Sequence, residues 1–221
     1  MSEAVTPIET EREQMVRQQV RAWDVLDERV LDTLRKVPRE RFVPPEHRFL
    51  AFADVDIPLA HGQHMLRPNV AGRLLQSLEL AGCERVLEVG AGSGFLTACL
   101  AAQSASVRSL EIFADLADLA RANLASLGVR DAEVITADAT ELGGGARFDA
   151  IALTASLPVY DERFERLLEI GGRLFAIVGD APVMEACLVR RVAERAWARE
   201  SLFETVVDPL IHARRPQVFT L

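Results

Sequence analysis

The residues of this chain best suited to chemistry are three closely spaced glycines and three acids. Gly90, Gly92 and Gly94 fall at every second position, behind the apolar run Val86-Leu87-Glu88-Val89 and ahead of Phe95. The pattern reads as a strand, a tight turn and a helix start, because glycine lets the backbone turn sharply and lets a ligand approach the main chain where a Cβ would collide. A dinucleotide fingerprint would carry its third glycine one residue later, where Phe95 stands. Glu88, read as facing the turn from the strand end, would repel a pyrophosphate and suit a ligand bearing an ammonium and a sulfonium. S-adenosylmethionine is therefore expected rather than NAD.

The other two acids extend this reading. Ser106 to Ile112 reads as a second strand with Glu111 near its end. That places a carboxylate roughly 20 residues after the glycines, where it can chelate two ribose hydroxyls. A third strand, Glu133 to Thr136, runs into Ala137-Asp138-Ala139, so Asp138 and Ala139 stand at the next strand end. Asp138 there either meets an adenine amino group or caps the segment that follows. A fourth strand, Phe148 to Thr154, brings Thr154 and the loop Ala155-Ser156-Leu157-Pro158 to the same edge, where open parallel sheets bind ligands.

The elements that must hold these residues follow from periodicity. The first ten or so residues are polar and read as frayed, with helical spacing beginning at Met15. Asp27 can cap a second helix carrying Val30, Leu31 and Leu34, stopped by Pro38. Phe42 to Pro68, with Pro44, Pro45 and Pro58 inside it, reads as an ordered loop region of the kind that holds substrate. A helix over Asn69 to Leu80 comes next, and strands and helices alternate to about Asp180, which predicts a parallel, doubly wound α/β sheet. Helices are expected over Ala117–Leu127, ending at Gly128, and over Phe164–Leu168, ending at Gly171-Gly172, before a strand from Arg173 to Val178. Ala186–Ala193 and Trp197–Val207 suit antiparallel edge strands.

At 221 residues one domain spanning the chain is the economical reading. A formal charge of −8, from 33 acids and 25 bases, argues against general affinity for nucleic acid. Cys83, Cys99 and Cys187 lie far apart without a Cys-x-x-Cys pair, so neither a disulfide framework nor a metal site is expected. The start of the chain lacks a basic stretch followed by an apolar run, and no membrane span is long enough, so a cytoplasmic protein is expected.

With these residues in view, the chain resembles the protein-L-isoaspartate O-methyltransferase family from about Met15 to at least Val178. The resemblance rests on Val37-Pro38-Arg39-Glu40-Arg41-Phe42-Val43-Pro44, Ala51-Phe52-Ala53-Asp54, Pro58-Leu59-Ala60-His61-Gly62-Gln63, the glycine turn and Gly171-Gly172-Arg173-Leu174. It implies a Rossmann-like seven-stranded methyltransferase sheet preceded by N-terminal helices, and S-adenosylmethionine as methyl donor. It further implies transfer to the carboxylate of isoaspartyl residues in damaged proteins, by a monomeric cytosolic repair enzyme with protein or peptide substrates. Asp54 matches a family position near the substrate, where it either binds a peptide amide or caps its loop.

The departure from the family lies after Gly62-Gln63. The family commonly continues Thr-Ile-Ser, with hydroxyls that contact the isoaspartyl group, and this chain has His64-Met65-Leu66. The family's Gly-Asp-Gly also becomes Ala137-Asp138-Ala139. His64 is either a replacement donor to the acceptor carboxylate or a surface histidine, whereas Met65 and Leu66 read as core residues. An apolar pocket around Met65, Leu66 and Leu157 would favour a different methyl acceptor. A non-catalytic S-adenosylmethionine-binding protein and, more remotely, a dehydrogenase are the other readings.

Overall fold

The computed structural model describes residues 6–143 and 145–215. Helix α1, Pro7–Met15, starts earlier than the polarity of the first residues suggests. Thr6 and Glu9 form a reciprocal capping box, and Pro7 occupies the first turn, where its missing N–H costs nothing. The helix continues through a π-type turn, Val16–Val20, that buries Val16 and Val20. Asp27 caps α2, Glu28–Lys36, by accepting from the Arg29 backbone N–H, and Val30, Leu31 and Leu34 are buried as their spacing predicts.

The proline-rich segment folds into short turns and a two-residue ribbon, β1 (Ile57–Pro58) against β2 (His64–Met65). Arg39 ties this segment down. Fully buried, its Nε donates to the Ala51 carbonyl at 2.9 Å and its Nη2 to the Leu66 carbonyl at 2.8 Å, with the guanidinium 4.8 Å from the Phe95 ring centre.

After α3 (Pro68–Leu78) the chain builds a seven-stranded sheet. Its strands are β3 (Arg85–Val89), β4 (Ser106–Glu111), β5 (Ala132–Thr136), β6 (Phe148–Leu157), β7 (Leu168–Asp180), β8 (Val183–Ala193) and β9 (Ala196–Glu204). The spatial order is β5-β4-β3-β6-β7-β8-β9, parallel from β5 to β7 and antiparallel thereafter. Helices α4 (Phe95–Ala101), α5 (Ala114–Ser126) and α6 (Glu162–Arg166) lie in the crossovers. The central strands are apolar on both faces: Ala150 and Ala152 enter the core beneath the N-terminal helices, while Ile151 and Leu153 enter the core on the opposite face. This is the Rossmann-like sheet that the alternating pattern implies.

Two expectations change. The helix expected at Phe164–Leu168 lies two residues earlier, at Glu162–Arg166, and Gly171-Gly172 do not end it. They sit inside β7, where a Cβ on Gly172 would come 2.9 Å from the Glu169 carbonyl oxygen. The last strand stops at Glu204, so Val206 and Val207 leave the sheet and run along a cavity at the carboxyl ends of the strands.

Candidate functional site

A cavity of about 730 Å³ opens where β3, β4, β5 and β6 end, a size typical of cofactor sites. Gly90 stands at its base with φ +94°, and a Cβ there would lie 2.2 Å from the Thr154 hydroxyl oxygen. That hydroxyl sits 2.9 Å from both the Val89 and Gly90 carbonyl oxygens, so β6 braces the turn, and the strand runs on through Ala155, Ser156 and Leu157, residues expected in a loop. The Gly90 and Ala91 N–H groups donate to the Leu110 carbonyl. Glu111 completes the frame: its Oε2 accepts from the Gly92 N–H at 2.9 Å and its Oε1 from the Phe113 N–H at 3.1 Å. A carboxylate held at both oxygens by main-chain donors keeps further lone pairs for vicinal hydroxyls.

Gly92, Glu111, Asp138, Ala139 and Thr154 all line the cavity with Gly90, and so do Asp54 and His64 from the segment before α3. Gly94 and Glu88 do not. Gly94 is needed for packing: a Cβ would press on the Ala120 backbone of α5 at 3.2 Å. Glu88 corrects the sequence reading more sharply. Strand alternation turns it, like Val86, toward α4 rather than toward the turn. It is fully buried, and its Oε2 accepts from the Thr97 and Ser109 hydroxyls, each at 2.5 Å. Burial pushes its carboxyl up to about 7, against the pull of those two hydroxyls. It joins β3, β4 and α4 beneath the turn and stands off the cavity wall.

Asp138 does cap the turn that follows, Oδ1 accepting from the Thr140 N–H and hydroxyl at 2.8 and 2.7 Å. Its Oδ2 lies 2.6 Å from His212 Nδ1. Burial works to raise its pKa, but the His212 and Thr140 hydrogen bonds outweigh it and hold the carboxyl below its ordinary value. His64 is exposed, with Nδ1 2.8 Å from Asp208 Oδ2. Asp54 Oδ2 accepts from the fully buried Asn69 at 3.2 Å. His61 lies outside the cavity wall, stacked on Phe113 at 4.1 Å and bonded to Asp115.

Of the three apolar residues expected to surround an acceptor, Leu157 is buried in the core away from the cavity, Leu66 lines the cavity, and Met65 and Leu66 together line a second, small pocket of about 40 Å³ beside His64 and the glycine turn, too small by itself to hold an acceptor. Sequence reading missed Asp56, Arg67 and the stretch Val206–Ile211, which also line the cavity. Arg67 stood three residues after His64 in the altered motif and carried a signal. The C-terminal stretch carried none, because its place depends on the parallel bridge between Ser156 and Pro209.

Residues 9–211 match the family described as Protein-L-isoaspartate(D-aspartate) O-methyltransferase (PCMT). A protein-L-isoaspartate O-methyltransferase of Rhodopseudomonas palustris is 40% identical over 201 residues, covering 90% of this chain and 92% of the relative. One of Methanoculleus marisnigri is 42% identical over 174 residues, covering 78% of this chain and 79% of the relative. A crystal structure of this type from Plasmodium falciparum, in complex with S-adenosyl-L-homocysteine, superposes with a TM-score of 0.77 at 20% identity, covering 90% of this chain and 97% of that one, which establishes the fold. The chain belongs to the protein-L-isoaspartate O-methyltransferase family.

Proposed function

We propose that the protein transfers a methyl group from S-adenosylmethionine to the carboxylate of L-isoaspartyl residues in damaged proteins, acting as a single-domain monomer in the cytoplasm. The observation that carries this is the convergence of Gly90, Gly92, Glu111, Asp138, Ala139 and Thr154 with Asp54 and His64 on one cavity. The cradle fits the cofactor. Gly90 lets the Thr154 hydroxyl close against the turn and brace it, and Glu111 is fixed by two main-chain donors with lone pairs to spare for a ribose. Gly90 and Gly92 form the floor, Glu111 takes the ribose hydroxyls, and Asp138 with Ala139 meets the adenine. Gly94 and Glu88 support the cradle from behind.

When bound, S-adenosylmethionine supplies an electrophilic sulfonium methyl. A carboxylate acceptor is ionised at neutral pH and needs no general base, so the protein's task is alignment. Asp54 accepts from a peptide N–H next to the acceptor. With its Nδ1–H donating a hydrogen bond to Asp208 Oδ2, His64 can donate from Nε2 to the acceptor carboxylate only when the ring carries both protons. His64→Ala should therefore lower kcat/KM for the isoaspartyl peptide about 10-fold. An unchanged kcat/KM would remove His64 from the acceptor site.

The test is incubation with methyl-labelled S-adenosylmethionine and two peptides that differ only in an isoaspartyl or an aspartyl linkage. Base-labile methyl ester on the isoaspartyl peptide alone is the expected result. Label on neither, with cofactor bound, would move the search to another acceptor or to a sensing role.

A further inference from the structure

Six carboxylates line the cavity, those of Asp54, Asp56, Glu111, Asp138, Asp180 and Asp208, against two basic side chains, Arg67 and His64. Such a wall attracts a sulfonium and repels a carboxylate. An anionic acceptor therefore needs a counter-charge built into the wall. His64 provides one only in its doubly protonated form. Arg67 is charged at every working pH.

Arg67 is also held in place. Its backbone N–H and its Nε donate to Asp56 Oδ1 at 3.2 and 3.3 Å, and its Nη2 donates to Asp56 Oδ2. Asp56 thus grips the edge formed by Nε and Nη2. A guanidinium carries five N–H donors in a planar fork, so its far edge, Nη1 with the second Nη2 proton, is left over. Among the described residues no protein group engages Nη1. The side chain is 34% exposed and lines the cavity, so this edge is open to a ligand there.

Resting on the isoaspartyl reading above, we infer that Arg67 is the acceptor-binding cation of this chain. Its far edge engages one oxygen of the isoaspartyl carboxylate, and Asp56 is the positioning residue that sets the angle of the fork. This replaces, by charge, the hydroxyl contacts that His64-Met65-Leu66 removed. The other carboxylate oxygen stays available to attack.

Arg67→Gln, Arg67→Lys and Asp56→Asn test this in the full chain, with the isoaspartyl and aspartyl peptides as acceptors. Arg67→Gln should raise KM for the isoaspartyl peptide ~10–100-fold, as expected for a lost charge-assisted hydrogen bond. Arg67→Lys should recover part of that loss, and Asp56→Asn should fall between Gln and wild type. The Kd for S-adenosylhomocysteine, measured by calorimetry, should stay within about 2-fold of wild type in all three. An unchanged peptide KM in Arg67→Gln, with wild type active, overturns the assignment. So does a fall in kcat and melting temperature with KM unmoved, which would mark a structural role. Wild-type protein that binds the cofactor yet esterifies no isoaspartyl peptide overturns the isoaspartyl reading itself, and the assignment with it.

Discussion

At the scale of single residues, the site depends on close contacts that each admit one side chain. Gly90 is the clearest, with positive φ and a Cβ position occupied by the Thr154 hydroxyl. Gly90→Ala should weaken cofactor binding by roughly 10–100-fold, from backbone strain of about 1–3 kcal/mol plus the overlap. Adding Thr154→Ala should recover only part of this, because it opens the space and leaves the φ strain; titration of both variants with S-adenosylhomocysteine checks it. Glu88 makes a second, pH-dependent case. Its folded pKa of about 7 lies above the ordinary carboxyl value, so the folded state holds a proton that the unfolded chain has released. Stability from this group is full at low pH, declines as pH rises from about 4.5 to 7, and is flat above. Glu88→Gln removes the decline, so the stability of variant minus wild type should rise across that window by on the order of 3 kcal/mol, measured by urea unfolding at several pH values. The places of Gly90, Gly92 and Glu111 on the cavity were legible in the sequence because they are written in local spacing, whereas Gly94, expected among them, packs on α5 instead. The orientation of Glu88 was not, because it depends on which face of β3 turns toward α4.

At the scale of elements, one buried arginine organises the wall that carries Asp54, His64 and Arg67. Arg39 reaches carbonyls at Ala51, inside the proline-rich segment, and at Leu66, near its end, and stacks on Phe95 of α4, directly after the glycine turn. Burial lowers its pKa to about 10, which still leaves it charged at neutral pH. Arg39→Leu leaves two buried carbonyls without donors and frees the segment. The expected cost is roughly 3 kcal/mol, or about 6–12 °C in melting temperature, with KM for an acceptor peptide rising while cofactor affinity holds. Thermal unfolding and steady-state kinetics on one preparation check both. Sequence reading placed the strands and most helices, since their apolar runs and caps are local. It misjudged α1, whose start is set by the capping box of Thr6 and Glu9. It also misjudged Gly171-Gly172, whose surroundings come from the far ends of β6 and β7.

At the scale of the whole molecule, the charge balance and the sheet act together. The chain carries a formal charge of −8, and the parallel order β5-β4-β3-β6 brings successive strand ends to one edge, so acids distant in sequence face a common cavity. Motif by motif, the sequence marks Glu111 and Asp138, but Asp180 joins them at the carboxyl end of the parallel strand β7, and Asp208 only through the antiparallel return of β8 and β9 and the passage of the chain past Ser156. The resulting field should separate the methyl donor from its product. S-adenosylmethionine carries a sulfonium charge that S-adenosylhomocysteine lacks, while the two share their adenosine and amino-acid groups. Charges lining a cleft attract a cation from outside the first contacts, and salt screens them over a Debye length that shrinks from about 14 Å at 0.05 M to about 4 Å at 0.5 M. Over that range the Kd for S-adenosylmethionine should rise several-fold and that for S-adenosylhomocysteine distinctly less, as read by calorimetry at matched pH. Equal salt slopes would mean that the carboxylates are neutralised locally by their partners, as Asp56 is by Arg67, and that donor and product are told apart by contact at the sulfur alone.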